Sequence, residues 1–289
     1  MQEIGRELIL CTSEGAKLQA YYSEQTPNTG RGMVILLPGW EGSESSVYMQ
    51  CTGRSMFGAG YDVVRINYRD HGRSHHLNEG LFLGTLLPEL QESIAQVVDQ
   101  HAKGAPVYVV GFSLGGNFAL RLACAPPVEI NKIYAVSPVL YPLEGTRKLD
   151  ETPIFQSYFR QKWSRSLARK ARLFPERYDF TDVLEQPSIM AMTEILLERL
   201  TDYASVEDYF RHYTLTPEYL ADARVDSLVI TSTDDPVLED GDYSRYDHID
   251  RIRMLVQSHG GHVGFIRNRL RTTWYEPLIL NDMDLGSGG

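Results

Sequence analysis

Short apolar runs alternate with longer amphipathic segments along this chain, and this alternation restricts the fold more than any other feature. Each run is rich in Val, Ile or Leu, which is typical of strands buried on both faces of a parallel sheet. Strands that alternate with helices build βαβ units, so we predict an α/β fold with a mostly parallel sheet flanked by helices. The predicted strands of this part occupy residues 33–37, 63–67, 107–111, 133–136, 228–231 and 254–257.

The first residues of the chain follow a different pattern. Residues 7–11 and 17–22 alternate or run apolar, and Ser13-Glu14-Gly15 separates them. Because turn-forming residues between two short strands favour a tight connection, we predict an N-terminal hairpin.

One helix is predicted over residues 85–101. Apolar residues recur there every three or four positions, as one face of a helix requires. They are Leu87, Leu90, Ile94, Val97 and Val98. Thr85 is the candidate N-cap, and Pro88 is compatible with the first turn.

The strand pattern is absent from residues 140–223, so we predict a helical cap inserted into the order of the sheet. An apolar stripe recurs every four residues within it and predicts an amphipathic helix. The stripe consists of Phe155, Phe159, Trp163, Leu167 and Ala171. The predicted core then comprises residues 1–139 and 224–285, and the Gly-rich residues 286–289 are predicted to form a flexible tail.

Composition limits the class of protein. Hydrophobic residues make up 43% of the chain and charged residues 23%, which allows a sizeable core and argues against disorder. The formal net charge of −10 argues against nucleic acid as a partner, because the phosphate backbone would be repelled. Cys11, Cys51 and Cys124 have no paired spacing, so neither a disulfide framework nor a zinc site is supported.

The cellular location is predicted from the length of the apolar runs and from the first residues of the chain. The apolar runs are too short to span a bilayer, and residues 1–7 have no apolar stretch typical of a signal peptide. We therefore expect a cytoplasmic protein. The sequence gives no prediction of its oligomeric state.

The motif Gly111-Phe112-Ser113-Leu114-Gly115-Gly116 follows a predicted strand and precedes a helical stretch. A G-x-S-x-G motif in that setting predicts a sharp turn that raises the serine hydroxyl above the sheet. We predict Ser113 as a nucleophile and the backbone N–H of Leu114 as a donor to a developing oxyanion. The alternative is a helix that merely begins with a serine.

A serine nucleophile needs a base, because its hydroxyl reacts poorly at neutral pH. Residues 258–265, Ser-His-Gly-Gly-His-Val-Gly-Phe, follow the last predicted strand and could bring an imidazole back over the sheet edge. We predict His262 rather than His259, because the apolar residues after His262 can pack the loop end against the sheet. The alternative is an exposed loop histidine without a catalytic role.

The carboxylate that orients this imidazole is expected between the serine and the histidine in sequence, at a strand end. Asp234-Asp235-Pro236 follows the predicted strand 228–231. The proline favours an extended Asp235 that can project across the strand ends. Asp234 is instead expected to bond the backbone of its own turn. We therefore predict Asp235 as the acid, which gives the chain order Ser, Asp, His.

These motifs resemble the α/β-hydrolase superfamily over nearly the whole chain. The segment Tyr68-Arg69-Asp70-His71-Gly72-Arg73-Ser74 is similar to the superfamily's loop after its fourth strand. Residues 205–209, 234–236 and 260–265 resemble the bacterial YheT-like branch of esterases. The resemblance implies an eight-stranded sheet, a helical cap and no cofactor. It also carries over Ser113 and His262, together with Asp235 as the acid.

A second oxyanion donor is expected from Pro38-Gly39-Trp40-Glu41-Gly42, the loop after an earlier strand. The backbone N–H of Trp40 is the candidate, and an ordinary glycine-rich turn is the alternative. Pro38 departs from the superfamily, in which many members have histidine before the loop glycine. This departure leaves the shape of the oxyanion loop open but not the identity of the donor.

Two further clusters of polar residues are weaker signals. His71, His75 and His76 share one loop, but no carboxylate or cysteine motif accompanies them, and we expect no metal site. Residues 160–177 contain seven basic residues and one acidic residue, a formal charge of +6. This segment is either a solvated helix face or a patch that attracts anionic substrates or a membrane surface.

Together these residues predict hydrolysis of a small-molecule carboxylic ester through an acyl-enzyme. An acyltransferase or thioesterase acting on an ester or thioester would use the same three residues, and a non-catalytic binding module could have the same fold. Phe159 and Trp163 are the candidate residues of a substrate pocket, and plain core packing is the alternative for them.

Overall fold

The computed structural model describes residues 5–26, 30–238, 243–266 and 273–286. Within these ranges, eight strands form one sheet. They are β1 (Arg6–Cys11), β2 (Lys17–Ser23), β3 (Met33–Leu37), β4 (Asp62–Asn67), β5 (Val107–Phe112), β6 (Lys132–Val136), β7 (Ser227–Ser232) and β8 (Ile252–Gln257).

The strand order across the sheet is β1-β2-β4-β3-β5-β6-β7-β8. β1 pairs with β2, and β2 with β4, in antiparallel fashion, whereas every other neighbouring pair is parallel. The prediction of an N-terminal hairpin leading into a mostly parallel sheet is confirmed. Each predicted strand is present, and its ends lie within two residues of the predicted ones.

Helices cover both faces of the sheet and also form the insert. They are α1 (Val47–Gly58), α2 (Leu87–His101), α3 (Leu114–Cys124), α4 (Pro142–Glu151), α5 (Pro153–Leu173), α6 (Thr181–Leu184), α7 (Ile189–Leu200), α8 (Val206–Arg211), α9 (Pro217–Leu220) and α10 (Tyr275–Gly286). Within the described ranges, no helix is both long enough and apolar enough to cross a membrane.

The core lies on both sides of the sheet, as β3 illustrates. All five of its residues are buried. Ile35 and Leu37 pack into the cluster that includes residues of α2 and α3, whereas Val34 and Leu36 pack into the cluster of α1 and α10. Burial on both faces explains why the central strands are uninterrupted apolar runs.

The predicted N-cap of α2 is wrong. The helix begins at Leu87, and the preceding Leu86 supplies no side-chain cap. The hydroxyl of Thr85 instead accepts a hydrogen bond from the Tyr203 hydroxyl at 2.9 Å. A contact with a distant segment therefore replaces the local cap. Pro88 does lie in the first turn, as predicted.

The helices α4 to α9 lie between β6 and β7, which confirms a helical insert where the strand pattern is lost. The predicted amphipathic stripe falls within α5. The division into a core and a cap at residues 140 and 223 stays a prediction. At the C-terminal end, α10 includes Gly286, where the sequence predicts the start of a tail. The rest of that predicted tail, residues 287–289, lies outside the described residues.

Candidate active site

Ser113 lies at the sharp turn between β5 and α3, with φ of 53°. A non-glycine residue with positive φ is uncommon, and such a conformation persists only where its surroundings fix it. The Ser113 N–H donates to the Val136 carbonyl at 2.9 Å, and its own carbonyl accepts from the Asn117 N–H at 3.1 Å. A Cβ on Gly111 would lie 2.1 Å from the Gly115 carbonyl oxygen, so only glycine allows this close passage of strand and helix.

His262 lies in the loop after β8, and its Nε2 is 2.9 Å from Ser113 Oγ. The loop end is fixed by Phe265, which is 1% exposed and packs edge-on against Trp274 and Tyr275. His259, in the same loop, has a side chain that is 88% exposed. The structure thus brings His262 to the serine and leaves His259 in solvent.

Asp235 follows β7, and its two carboxylate oxygens lie 2.9 and 3.1 Å from His262 Nδ1. Burial alone would raise the pKa of Asp235, but the hydrogen bond from His262 and the backbone N–H groups of Val237 and Leu238 outweigh it and lower the pKa. Asp235 is therefore ionised at neutral pH and can only accept. His262 Nδ1 then carries the imidazole proton, which leaves Nε2 free to accept from the Ser113 hydroxyl.

Asp234 binds the histidine loop, a role that sequence reasoning missed. Its carboxylate accepts from the N–H groups of Gly260 and Gly261 at 2.8 and 2.9 Å. The Gly261 N–H contributes most to lowering the pKa of Asp234 to about 2. The turn contacts expected of Asp234 are made by Asp235, which accepts from backbone N–H groups two and three residues further on. A glycine pair before the histidine, paired with a carboxylate at a strand end, is the signal that could have revealed this contact.

The predicted oxyanion donors belong to two segments that border Ser113. Leu114 is the first residue of α3, where backbone N–H groups have no acceptor within the helix. Gly39, next to Trp40, lies so close that a Cβ built on it would be 3.1 Å from the Ser113 Cβ. The Gly39 N–H donates to the Tyr48 hydroxyl at 3.0 Å, which ties the loop to α1.

His71 holds the other end of this loop, a contact that sequence reasoning did not predict. Its Nε2 accepts from the Glu41 N–H at 3.1 Å, and its Nδ1–H donates to the Arg69 carbonyl at 2.7 Å. Burial lowers the pKa of His71 to about 4, so the ring is neutral near pH 7 and retains one acceptor nitrogen. The neighbouring His75 contacts α5 through Ser166 Oγ at 2.8 Å.

A cavity of about 350 Å³ opens beside Ser113 and is lined mostly by apolar side chains of the sheet loops and the insert. Phe159 and Trp163 both line it, and their role in a substrate pocket stays a prediction. The Phe159 ring stacks on Trp40 with centroids 5.8 Å apart, and Trp163 meets Trp40 edge-on at 5.2 Å. The insert thus contacts the loop that contains Trp40.

The basic side chains of α5 are largely engaged within the protein. Lys170 is almost fully buried and pairs with Asp70 at 2.8 Å. Several others donate to backbone carbonyls of the insert and of the loops after β3 and β4; these are Arg160, Lys162 and Arg169. The two roles considered from the sequence were a solvated helix face and an anion-binding patch. Neither includes what these side chains do here, which is to attach the insert to the loops beside Ser113.

The sequence was compared with protein families and with known proteins. A family model described as alpha/beta hydrolase fold matches residues 32–268. The protein of Synechocystis sp. named "Putative esterase slr0264" is 23% identical over 288 residues, which cover 90% of this chain and 77% of that protein. The Escherichia coli K12 protein named "Putative esterase YheT" is 27% identical over 187 residues, which cover 61% of this chain and 54% of that protein.

The fold is also similar to a solved structure, the esterase Pf2001 of Pyrococcus furiosus, with a TM-score of 0.65 and 16% identity over 97% of this chain and 92% of that one. The distant similarity to YheT agrees with the resemblance seen in the motifs. Since the family model matches most of the sequence, the chain belongs to the alpha/beta hydrolase fold family.

Proposed function

We propose that this protein is a serine hydrolase that cleaves carboxylic esters through an acyl-enzyme intermediate. The observation that carries the proposal is the continuous set of hydrogen bonds from Asp235 through His262 to Ser113, with 2.9 Å on either side of the imidazole. The relatives named as esterases support the same reaction class.

In the first step, Ser113 Oγ attacks the ester carbonyl carbon while its proton passes to His262 Nε2. The Asp235 carboxylate stabilises the imidazolium, and the N–H groups of Leu114 and Trp40 donate to the oxyanion. When the ester C–O bond breaks, His262 returns the proton to the leaving alcohol. The acyl group stays bound to Ser113.

In the second step, water attacks the acyl-enzyme. His262 takes a proton from the water, and the tetrahedral intermediate then expels Ser113 Oγ, which regains a proton from His262. The carboxylic acid leaves, and the site returns to its starting state. No group beyond these side chains and backbone donors is required for the cycle.

We further assign the acyl chain to the cavity beside Ser113. Its wall is mostly apolar, and the cap at residues 140–223 supplies Phe159 and Trp163 to it. A mostly apolar cavity of this size can hold an alkyl chain of moderate length.

Labelling with a fluorophosphonate tests this proposal directly. We expect one covalent adduct, which mass spectrometry of the digested protein assigns to the peptide containing Ser113. Esters of graded acyl length should then be hydrolysed with a defined optimum. Ser157→Ala is the control for the assignment to Ser113, because it changes an exposed serine of α5. This variant should still be labelled. A folded protein that neither forms the adduct nor hydrolyses any ester would exclude the proposed function.

A further inference from the structure

Glu41 lies immediately after Trp40 and lines the same cavity as Ser113. Protein surrounds its side chain, yet the residue keeps some accessible surface. Both observations agree if its carboxyl group forms part of the cavity wall.

Among the described residues, Glu41 differs from the other charged residues that line this cavity. Each of those has an ion-pair partner, and the pairs are Arg69–Glu89, Asp70–Lys170 and Arg177–Glu79. Glu41 forms no such pair with a described residue. The nearby Lys162 ammonium donates to the backbone carbonyl of Glu41 at 3.2 Å. Its carboxyl group is hydrogen-bonded by the Ser166 side chain, which also lines the cavity, and it retains hydrogen-bonding capacity for a ligand there.

The backbone of Glu41 is held in an unusual conformation. Its φ is 56°, in the left-handed region that non-glycine residues seldom adopt. The bond from its N–H to His71 Nε2 and the bond from Lys162 to its carbonyl fix both sides of the residue. Such conformations are concentrated at functional sites. A fixed backbone presents the side chain at a constant position beside Ser113.

The protonation of Glu41 suits a neutral hydrogen-bonding partner. Burial, with the nearby Asp70 charge, raises the pKa of its carboxyl to about 8, against the opposing effects of Lys162 and of the hydrogen bond with Ser166. Near pH 7 the group is therefore mostly protonated, with one O–H donor and free acceptor capacity. A hydroxyl group is likewise both donor and acceptor. In a cavity whose wall is mostly apolar, a hydroxyl without such a partner would be costly to bury.

We propose that Glu41 is a specificity-determining residue whose carboxyl hydrogen-bonds a hydroxyl group of the substrate, so that the cavity selects hydroxylated esters. The hydroxyl belongs either to the acyl chain or to the alcohol part of the ester. This inference rests on the proposed function, because it concerns the substrate that Ser113 attacks.

Two pairs of isosteric esters test the inference, since in each pair a methyl replaces the hydroxyl. Ethyl ω-hydroxyhexanoate and ethyl heptanoate differ in the acyl chain, whereas hydroxyethyl and propyl butyrate differ in the alcohol. Acid release at neutral pH gives kcat/KM for each. We expect the hydroxylated member to be preferred about three- to tenfold in one pair, as for one neutral hydrogen bond. The pair that shows the preference identifies which part of the ester carries the hydroxyl.

Variants then assign the preference to Glu41. Glu41→Gln keeps a donor and an acceptor and should keep the preference, whereas Glu41→Leu should abolish it. Glu151→Gln is the control, because it removes an exposed carboxylate of α4 that does not line the cavity. Equal rates within both pairs for the wild type, a measurement independent of how the variants fold, would overturn the inference. So would a preference that survives in Glu41→Leu. If the folded wild type hydrolysed none of the four esters, the proposed function itself would fail, and this inference with it.

Discussion

His262 Nε2 lies 2.9 Å from Ser113 Oγ, although the two residues are 149 positions apart in sequence. They meet because β5 and β8 are parallel members of one sheet, so the loops after them emerge at the same edge. Asp234 and the buried Phe265 hold the histidine loop in place. The predicted chemistry therefore depends on anchors that do not themselves touch the serine.

Ser113→Ala should reduce kcat on an activated ester by about 10⁴- to 10⁶-fold, as the loss of a triad member does. The fold should be unaffected, since alanine preserves the backbone and removes only the hydroxyl. The measurement is steady-state hydrolysis together with circular dichroism. Retention of a tenth of wild-type activity would mean that another residue is the nucleophile.

His262→Ala should be nearly inactive, whereas His259→Ala should retain most of the activity. The reason is that only His262 reaches Ser113, while the His259 side chain is 88% exposed. The two variants are matched, because each removes one imidazole from the same loop. An inactive His259→Ala beside an active His262→Ala would reverse the assignment.

Asp235→Asn should lower kcat by up to about 10⁴-fold, because the amide does not stabilise an imidazolium and favours the wrong tautomer. Asp234→Asn should cause a smaller loss, since it weakens the contacts to Gly260 and Gly261 but leaves Asp235 bonded to His262. The comparison is kcat near neutral pH for both variants. A large loss confined to Asp234→Asn would contradict the choice of Asp235.

Much of this arrangement could be predicted from sequence because local patterns encode it. The central strands are recognisable in the sequence as apolar runs, because helices cover both faces of the sheet. The glycines beside Ser113 predict its turn, because the approach of β5 to α3 leaves no room for a Cβ at Gly111. Ser113, Asp235 and His262 can meet because the strands that precede them end at one edge of the sheet.

The remaining contacts join segments that are distant in the chain, often through backbone groups that no side-chain pattern reveals. The hydrogen bond from the Glu41 N–H to His71 is of this kind. The N-cap of α2 was wrong for a related reason. The Thr85 hydroxyl binds Tyr203 of the insert, and local helix signals contain no information about that partner.

His71→Phe should lower kcat more than it changes KM, by about tenfold to a hundredfold. Phenylalanine keeps a ring of similar size but offers no acceptor to the Glu41 N–H, so the loop with the proposed Trp40 donor would be misplaced. His71→Gln supplies an acceptor at a similar distance and should recover part of the loss. Equal activity in the wild type and the Phe variant would show that His71 is only a packing residue.

Acidification should destabilise the wild type more than His71→Gln. Burial lowers the pKa of His71 to about 4, below its ordinary value of about 6.5. The stabilising contribution of the neutral ring is therefore complete above about pH 6.5 and is lost as the pH falls towards about 4. Glutamine does not titrate. Thermal unfolding followed between about pH 7 and pH 4.5 should show a smaller decrease of Tm in the variant, and identical decreases would contradict this prediction.

Phe159→Ala should shift the preferred acyl chain towards longer esters. The Phe159 ring lines the cavity and stacks on Trp40, so its removal enlarges the space beside Ser113. Each additional methylene that becomes buried contributes about 0.8 kcal/mol, or about fourfold in kcat/KM. Tyr158→Ala is the matched control, because this neighbour is 52% exposed and does not line the cavity. The measurement is kcat/KM across a series of acyl lengths. An unchanged optimum in a folded Phe159→Ala would mean that the ring serves only to pack the insert against the Trp40 loop.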